Sequence, residues 1–417
     1  MQKVAIIGTG ISGLGAAFLL KDSYQLTVYE KNDYLGGHAR TLSINPTLNI
    51  DTGFIVFNKK TYPHLVKLFT LLDIPIKNSD MSFGVSINQG QFEYGSKKIS
   101  SLFAQRKNIL NPSFWRMLID IWNFNRFSKQ QLANHSLSEQ VTLGEYLRML
   151  KLSNEFCNHY LIAMAAAIWS TPANKIDAFP ALTFLRFFQH HGLLDIHRPI
   201  QWYTVDGGSR VYVDKIHQAL LASNVAFRSG AEIIYRDQSI KIIDASGETH
   251  SYDKVIIATH SDQALALLNN PSEQEKAILG AIPYQKNTAI LHTDRACMPK
   301  RITAWSSWVY LSQQTAAQQT ISLSYWMNNL QSLPTSEQYF VTLNPIQRPQ
   351  EALIIDEYVF EHPVFDLAAI QAQQNIQHLQ GYANTYYCGA YYGYGFHEDG
   401  LASAIQVAQA LGVMPPW

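Results

Sequence analysis

Runs of apolar residues, and the spacing between them, predict most of the elements of this chain. Val4–Ile7 is a short unbroken apolar run suited to a buried parallel strand, and Gly8 ends it. A helix is expected over about 12–21, then a second strand over Leu26–Tyr29 that closes on Glu30. Lys254–Thr259 reads as another buried strand ending at a small-residue turn, and the run near 225–236 predicts a further one. Helical spacing covers about 209–222, and Leu401, Ala404, Ile405, Ala408 and Leu411 repeat it near the far end. After a short hairpin at 82–95, the region up to 199 is mostly helical, with segments 113–127, 141–151 and 155–169. Alternating runs near 287–292, 303–311, 320–327 and 338–343 suit a mixed or antiparallel sheet.

Composition narrows the class. A chain of 417 residues exceeds one typical core and suits two packed domains. Lys plus Arg and Asp plus Glu stand at 32 each, so nothing global points to nucleic acid or a strongly anionic partner. Cys157, Cys297 and Cys388 form no CxxC, and their odd number argues against a disulfide framework. A reducing compartment, the cytoplasm, is the expectation. The first residues do not read as a signal peptide, and no apolar stretch is long enough to predict a spanning helix.

The chemistry begins at Gly8-x-Gly10-x-x-Gly13. Here the glycines would make a tight turn, let the backbone approach a pyrophosphate, and pack the next helix closely. That helix presents free N–H groups and its positive end to phosphates. Glu30 falls twenty residues after Gly10, where a carboxylate can take both ribose hydroxyls and would repel the extra phosphate of NADP. Gly36-Gly37-His38-Ala39-Arg40-Thr41 adds a second close backbone approach and a guanidinium within reach of phosphate. Far downstream, Tyr387-Cys388-Gly389-Ala390 and Gly393–Gly400 precede the last helix, a second place where bare N–H groups could meet a ligand.

These segments resemble the flavin-containing amine oxidase and phytoene-desaturase-like superfamily. DTGFIVFN (51–58), HHGLLD (190–195), WYTVDGGSRVYV (202–213), VIIATHSDQALALL (255–268) and YCGAYYGYGFHEDG (387–400) are similar to a bacterial branch of it. The resemblance implies FAD and an α/β Rossmann-like FAD-binding domain of the glutathione-reductase type, with an inserted α+β substrate domain. The FAD-binding domain is expected to be discontinuous, over 1–60, 200–270 and 380–417, with 61–199 and 280–378 as inserts. Besides Gly8, Gly10, Gly13 and Glu30, the implied cofactor residues are Ile11, Ser12, Lys31, Gly36, Gly37, His38, Arg40 and Thr41. Ile233, Thr259, Gly389, Gly400 and Leu401 complete the set. His38 stands directly after the glycine pair, where the family usually has its arginine; Val205 stands where its next motif has proline.

The resemblance implies an FAD-dependent oxidoreductase. Members of the branch are often encoded beside cyclopropane-fatty-acid-synthase-like enzymes, which implies a fatty-acyl or other lipid substrate and desaturase or double-bond isomerase chemistry. An amine oxidase is the alternative, and a binding scaffold without turnover is a third. No catalytic residue is assigned. His38, His260, His292 and His397 are proton-transfer candidates, and each is more simply a core or surface histidine. Tyr386, Tyr387, Tyr391, Tyr392 and Tyr394 are expected to pack around the last turn, with a cage for a cationic amine as the alternative. His159, His190, His191 and His197 lack metal-site spacing, so no metal is expected. Residues 97–129 carry seven basic residues and one acid among interleaved aromatics. That composition suits either peripheral membrane contact, at the inner face of a membrane, or a solvated face over a core.

Overall fold

In the computed structural model, residues 1–138, 140–169, 176–195, 200–236, 239–314 and 319–417 are described. The chain divides into two compact units. The first comprises Met1–Ile76, Val205–Tyr284 and Pro363–Trp417, and the second Lys77–Thr204 and Gln285–His362.

The first unit is built on a five-stranded parallel sheet. Its order is Ala226–Ser229, Gln25–Glu30, Lys3–Ile7, Lys254–Ile257, Thr385–Tyr387. Val4, Ala5 and Ile6 and all of Val255–Ile257 are fully buried, as expected where both faces of a parallel sheet are covered. The first helix, Ile11–Leu20, is buried along its whole length. Its Gly13, Gly15, Ala16 and Ala17 let neighbouring backbone and side chains close in. The C-terminal helix, His397–Ala410, packs on it so tightly that a Cβ on Gly15 would lie 2.7 Å from Leu401 Cδ1. A three-stranded antiparallel sheet (Ala231–Arg236, Ile240–Asp244, Thr249–Tyr252) completes the unit.

The unit boundaries differ from the sequence-based ones. Residues 61–76, expected in the first insert, belong to the first unit. The helix Pro63–Leu71 starts on the Glu398 carboxylate, which accepts from the His64 and Leu65 amides at 2.9 and 3.0 Å. Residues 271–284 and 363–379 also join it, because Ile278, Leu279, Ile282, Ala369, Ala372, Ile376 and Leu379 share one buried cluster with Val255 and Ile257.

The second unit holds a seven-stranded mixed sheet. Its order is Ile354–Pro363, Tyr284–His292, Phe340–Leu343, Gln319–Trp326, Trp308–Gln314, Phe83–Ile87, Phe92–Gly95. The 82–95 hairpin is therefore joined to this sheet, with Trp308–Ser312 running parallel to Phe83–Ile87. The same unit holds the helices Pro112–Ala133, Leu143–Leu150, Ile162–Trp169 and Ala181–His190.

Candidate functional site

The site grows out of the first strand. Gly8 takes φ +100°, and a Cβ there would lie 2.8 Å from the Ala258 carbonyl oxygen, so the turn excludes any side chain. A Cβ on Gly13 would lie 1.9 Å from the Gly8 carbonyl oxygen, which ties the start of the helix to the end of the strand. Gly10 differs from both, because nothing lies within 4 Å of the position its Cβ would take. The turn is open on that side, and the helix there has no side-chain cap. Its first N–H groups and positive dipole end are thus available to an anion. Gly37 closes on the same point, its Cβ position 3.1 Å from Gly10 Cα, and the Gly36 amide is anchored on the Thr9 carbonyl at 3.1 Å.

Glu30 stands at the end of the second strand with both carboxylate oxygens fixed. Oε2 accepts from the Thr9 amide at 3.0 Å and from the Thr9 hydroxyl; Oε1 accepts from Asn32 N and Nδ2, both at 2.9 Å. Four donors fill the usual acceptor capacity of a carboxylate. A ribose hydroxyl would take the place of the Thr9 hydroxyl or the Asn32 amide group, the two side-chain donors. Lys31 is exposed, and its backbone lies against Gly230. Ile233 is exposed on its strand, and Thr259 borders Gly8.

The far end of the chain meets this turn. A Cβ on Gly400 would lie 2.7 Å from Ser12 Oγ and 2.9 Å from Ile11 Cγ2, so the N-terminal turns of two helices converge. Ser403 locks the arrangement: its hydroxyl donates to the Gly400 carbonyl at 2.7 Å and accepts from the Gly389 amide at 2.9 Å. Leu401 is fully buried beside Gly15. Gly400 and Leu401 thus lie against the first helix, and Gly389 is tied to them through Ser403.

A buried carboxylate organises the third side. Asp51 accepts from Ser209 N at 2.9 and 3.1 Å, from Ser209 Oγ at 2.8 Å and from Thr41 Oγ1 at 2.5 Å. Thr41 Oγ1 in turn accepts from the Arg210 amide at 2.9 Å. Gly207 and Gly208, at φ +87° and +91°, let the chain turn into the helix Arg210–Ala222 directly over this acid. Thr41 is therefore held as a structural link. Arg40, half-buried, has its Nη1 3.4 Å from Thr52 Oγ1.

Three of the four candidate histidines are brought together. The His38 and His260 rings are 5.7 Å apart, and His260 stacks on Tyr284 at 4.4 Å. His397 stacks on Phe54 at 3.7 Å, and its Nε2 is 3.0 Å from the Tyr212 hydroxyl. Burial, then the nearby His38, lower the pKa of His397 to about 3, so it stays neutral. The next two residues move the other way. Burial outweighs the amide bonds they accept and raises Glu398 to about 7 and Asp399 to about 6. Asp399 Oδ2 accepts from the Tyr394 and Phe396 amides, fixing the turn before the helix.

The fourth histidine, His292, takes the simpler of its two readings and is a core residue of the second unit. Its Nε2 meets Thr342 Oγ1 at 2.7 Å and its Nδ1 accepts from the Asp294 amide at 3.1 Å. Tyr387, Tyr391 and Tyr392 pack into the core of the first unit, the hydroxyls of Tyr387 and Tyr392 bonded to Glu275 and the Tyr387 carbonyl. Those three do not form an amine cage. His191 is held against Phe187, stacked at 4.0 Å and bonded to its carbonyl; His197 lies outside the described residues. Among the described residues, Asp244, Glu248 and His250 are the groups close enough to share a metal ion. Asp244 is already committed there to Ser246, the Glu248 amide and His250, and Arg228 faces Glu248 at 3.3 Å. They read as the lock of a turn.

Sequence reasoning missed Thr9, Asn32, Gly15, Ser403 and the role of Asp51. Only Asp51 carried a signal, since DTGF and DGGS were both noticed without a bond between them. The bare Gly10 edge, the converging helix starts and the fixed Glu30 fit a dinucleotide whose pyrophosphate lies over the first helix.

Comparison with known proteins agrees. A family model for an NAD(P)-binding Rossmann-like domain matches residues 6–72. A 1-hydroxycarotenoid 3,4-desaturase from Flavobacterium is 45% identical over 67 residues, which is 16% of this chain and 13% of that protein. Solved structures are similar over the whole chain. A conjugated-linoleic-acid (CLA)-producing fatty acid isomerase from P. acnes has a TM-score of 0.69 at 13% identity, covering 99% of both chains. Cyclohexylamine oxidase from Brevibacterium oxydans has a TM-score of 0.68 at 15% identity, also over 99% of both. Putrescine oxidase bound to putrescine gives 0.68 at 13% identity over 98% of each. The fold is therefore the two-domain fold of these amine oxidases, a Rossmann-like dinucleotide-binding domain carrying an inserted second domain.

Proposed function

We propose that the chain is an FAD-dependent oxidoreductase that oxidises a C–H bond of a small organic or lipid substrate. The observation that carries this is the convergence of the Ile11–Leu20 and His397–Ala410 helix starts at Gly400 and Ser12, beside the open Gly10 edge. Bound there, FAD would supply the hydride acceptor. The chain's own contribution is placement and charge. Glu30 would orient the ribose; Gly10 and Gly37 leave room for the phosphates; the two helix N-termini favour negative charge. His397, kept neutral and bonded to Tyr212, adds no cation.

For the substrate we place an amine first. The cyclohexylamine and putrescine oxidases support it by sharing this fold over nearly their full length. Loss of a hydride from a carbon next to an uncharged nitrogen would leave an iminium, which water hydrolyses. An unsaturated acyl chain is the second reading, supported by the fatty acid isomerase and by the family branch that the sequence resembles.

The test is an absorption spectrum of the purified protein, then anaerobic titration with primary amines, unsaturated fatty acids and unsaturated phospholipids. Bleaching of the flavin bands by an amine alone supports the first reading, and bleaching by an unsaturated lipid moves the assignment to the second. A protein that takes up no FAD overturns both.

A further inference from the structure

The face formed by residues 97–129 in the second unit is not absorbed by this chemistry. Its helix, Pro112–Ala133, buries Phe114, Met117, Phe124, Ser128 and Leu132. On the other side it exposes Trp115, Ile119, Trp122 and Arg126. Those four recur at intervals of four, three and four residues, so they form one outward stripe. The turn before the helix extends it. Leu110 is 88% exposed and Ile109 about half, and Trp115 Nε1 donates to the Ile109 carbonyl at 2.8 Å, which fixes this turn against the stripe. Ile99, 80% exposed, lies on the short helix before it.

The charge here is one-sided. Arg116 and Lys129 pair with Asp120 and Asp195. Among the described residues, no carboxylate pairs with the exposed Lys98, Arg106, Lys107 or Arg126. The Arg126 guanidinium lies 4.8 Å over the Trp122 ring, so a cation and an indole are presented together.

We propose that this face docks on an anionic lipid bilayer. Trp115, Ile119, Trp122 and Leu110 would enter the boundary between headgroups and acyl chains, while Arg106, Lys107 and Arg126 meet lipid phosphates. Indoles favour that boundary because one edge is apolar and the other a hydrogen-bond donor. A nucleic acid or an acidic polymer would satisfy the cations and leave Leu110, Ile99 and Ile119 in water; a bilayer satisfies both. No helix among the described residues is long and apolar enough to cross a membrane, so the contact is peripheral.

The full-length protein would be sedimented with vesicles of phosphatidylcholine alone and with vesicles carrying about a third phosphatidylglycerol, at low and high salt. The expected result is binding to the anionic vesicles, weakened by salt, with tryptophan fluorescence quenched by brominated acyl chains. Trp115→Ser/Ile119→Ser/Trp122→Ser should weaken binding by about tenfold or more and lose the quenching. Arg106→Glu/Lys107→Glu/Arg126→Glu should abolish the preference for anionic vesicles, and it serves as the independent variant should the first not fold. Far-UV circular dichroism checks both. No binding at low salt, equal binding by the folded variants, or binding to heparin and vesicles alike without bromine quenching would each overturn the proposal. The readout is vesicle binding, so it stands or falls apart from flavin content and turnover.

Discussion

Gly400 and Ser12 face each other across the first turns of two helices from opposite ends of the chain, and a Cβ on Gly400 would come 2.7 Å from the serine Oγ. Ile11 Cγ2, at 2.9 Å from the same point, is buried and has little room to move. Gly400→Val should therefore push the helix starts apart, at a cost of about 1–3 kcal/mol, the usual range for overpacking. The purified variant is expected to keep its far-UV spectrum and to carry less flavin, read as the ratio of flavin to protein absorbance.

Gly10 and Gly13 separate binding from folding. Gly13→Ala would set a methyl 1.9 Å from the Gly8 carbonyl oxygen, so it should lower the Tm of the protein with or without FAD. Gly10→Ala meets nothing within 4 Å, and Gly10 has φ −62°, which alanine adopts freely. Its apoprotein Tm should match that of the parent, while FAD affinity falls by about tenfold or more because the methyl fills the pyrophosphate edge. Thermal melts with and without added FAD distinguish the two outcomes.

Asp51 supports the Gly207-Gly208-Ser209 turn from below. Asp51→Ala would leave Ser209 N, Ser209 Oγ and Thr41 Oγ1 without their acceptor in a buried place. A loss of at least about 2 kcal/mol is expected, with Asp51→Asn in between, because bonds to a charged acceptor exceed neutral ones. Urea unfolding midpoints at constant m-value test the order.

The buried groups act in opposite directions with pH. Glu398, raised from 4.5 to about 7, holds a proton in the folded chain that the unfolded chain has released. Its contribution to stability is complete below about pH 4.5 and is lost as pH rises through about 7. His292, lowered by burial from 6.5 to about 4, contributes stability above about pH 6.5 that is lost as pH falls through about 4. Melts of the parent and of Glu398→Gln should show the parent's advantage shrinking from about pH 5 to pH 8. With His292→Gln, the parent's advantage should grow from about pH 4 to pH 6.5.

The nucleotide turn was legible in the sequence because it is local. A parallel strand buried on both faces is an unbroken apolar run, and the glycines, helix and Glu30 follow within thirty residues. The last helix was legible by its 3.6-residue spacing, and its link to the first turn came from resemblance. What sequence could not supply were the side-chain partners, even those close along the chain. Thr9 and Asn32 became the fixers of Glu30, and Ser403 tied Gly389 to Gly400, through side-chain bonds that leave no periodic trace.

Distance along the chain does account for the shifted unit boundaries. Helix Pro63–Leu71 looks like the start of a helical insert until the Glu398 carboxylate, more than 300 residues later, is found on its first amides. A histidine in an alternating strand is more simply core than chemistry, and Thr342 on the paired strand shows what holds it there. In this chain, local backbone conformation and hydrophobic spacing determined the elements and the dinucleotide turn. Tertiary structure decided which elements share a core and which polar groups are held, because both depend on side-chain contacts that no local periodicity encodes, as with Glu398 on the amides of His64 and Leu65 and Asp51 on Ser209.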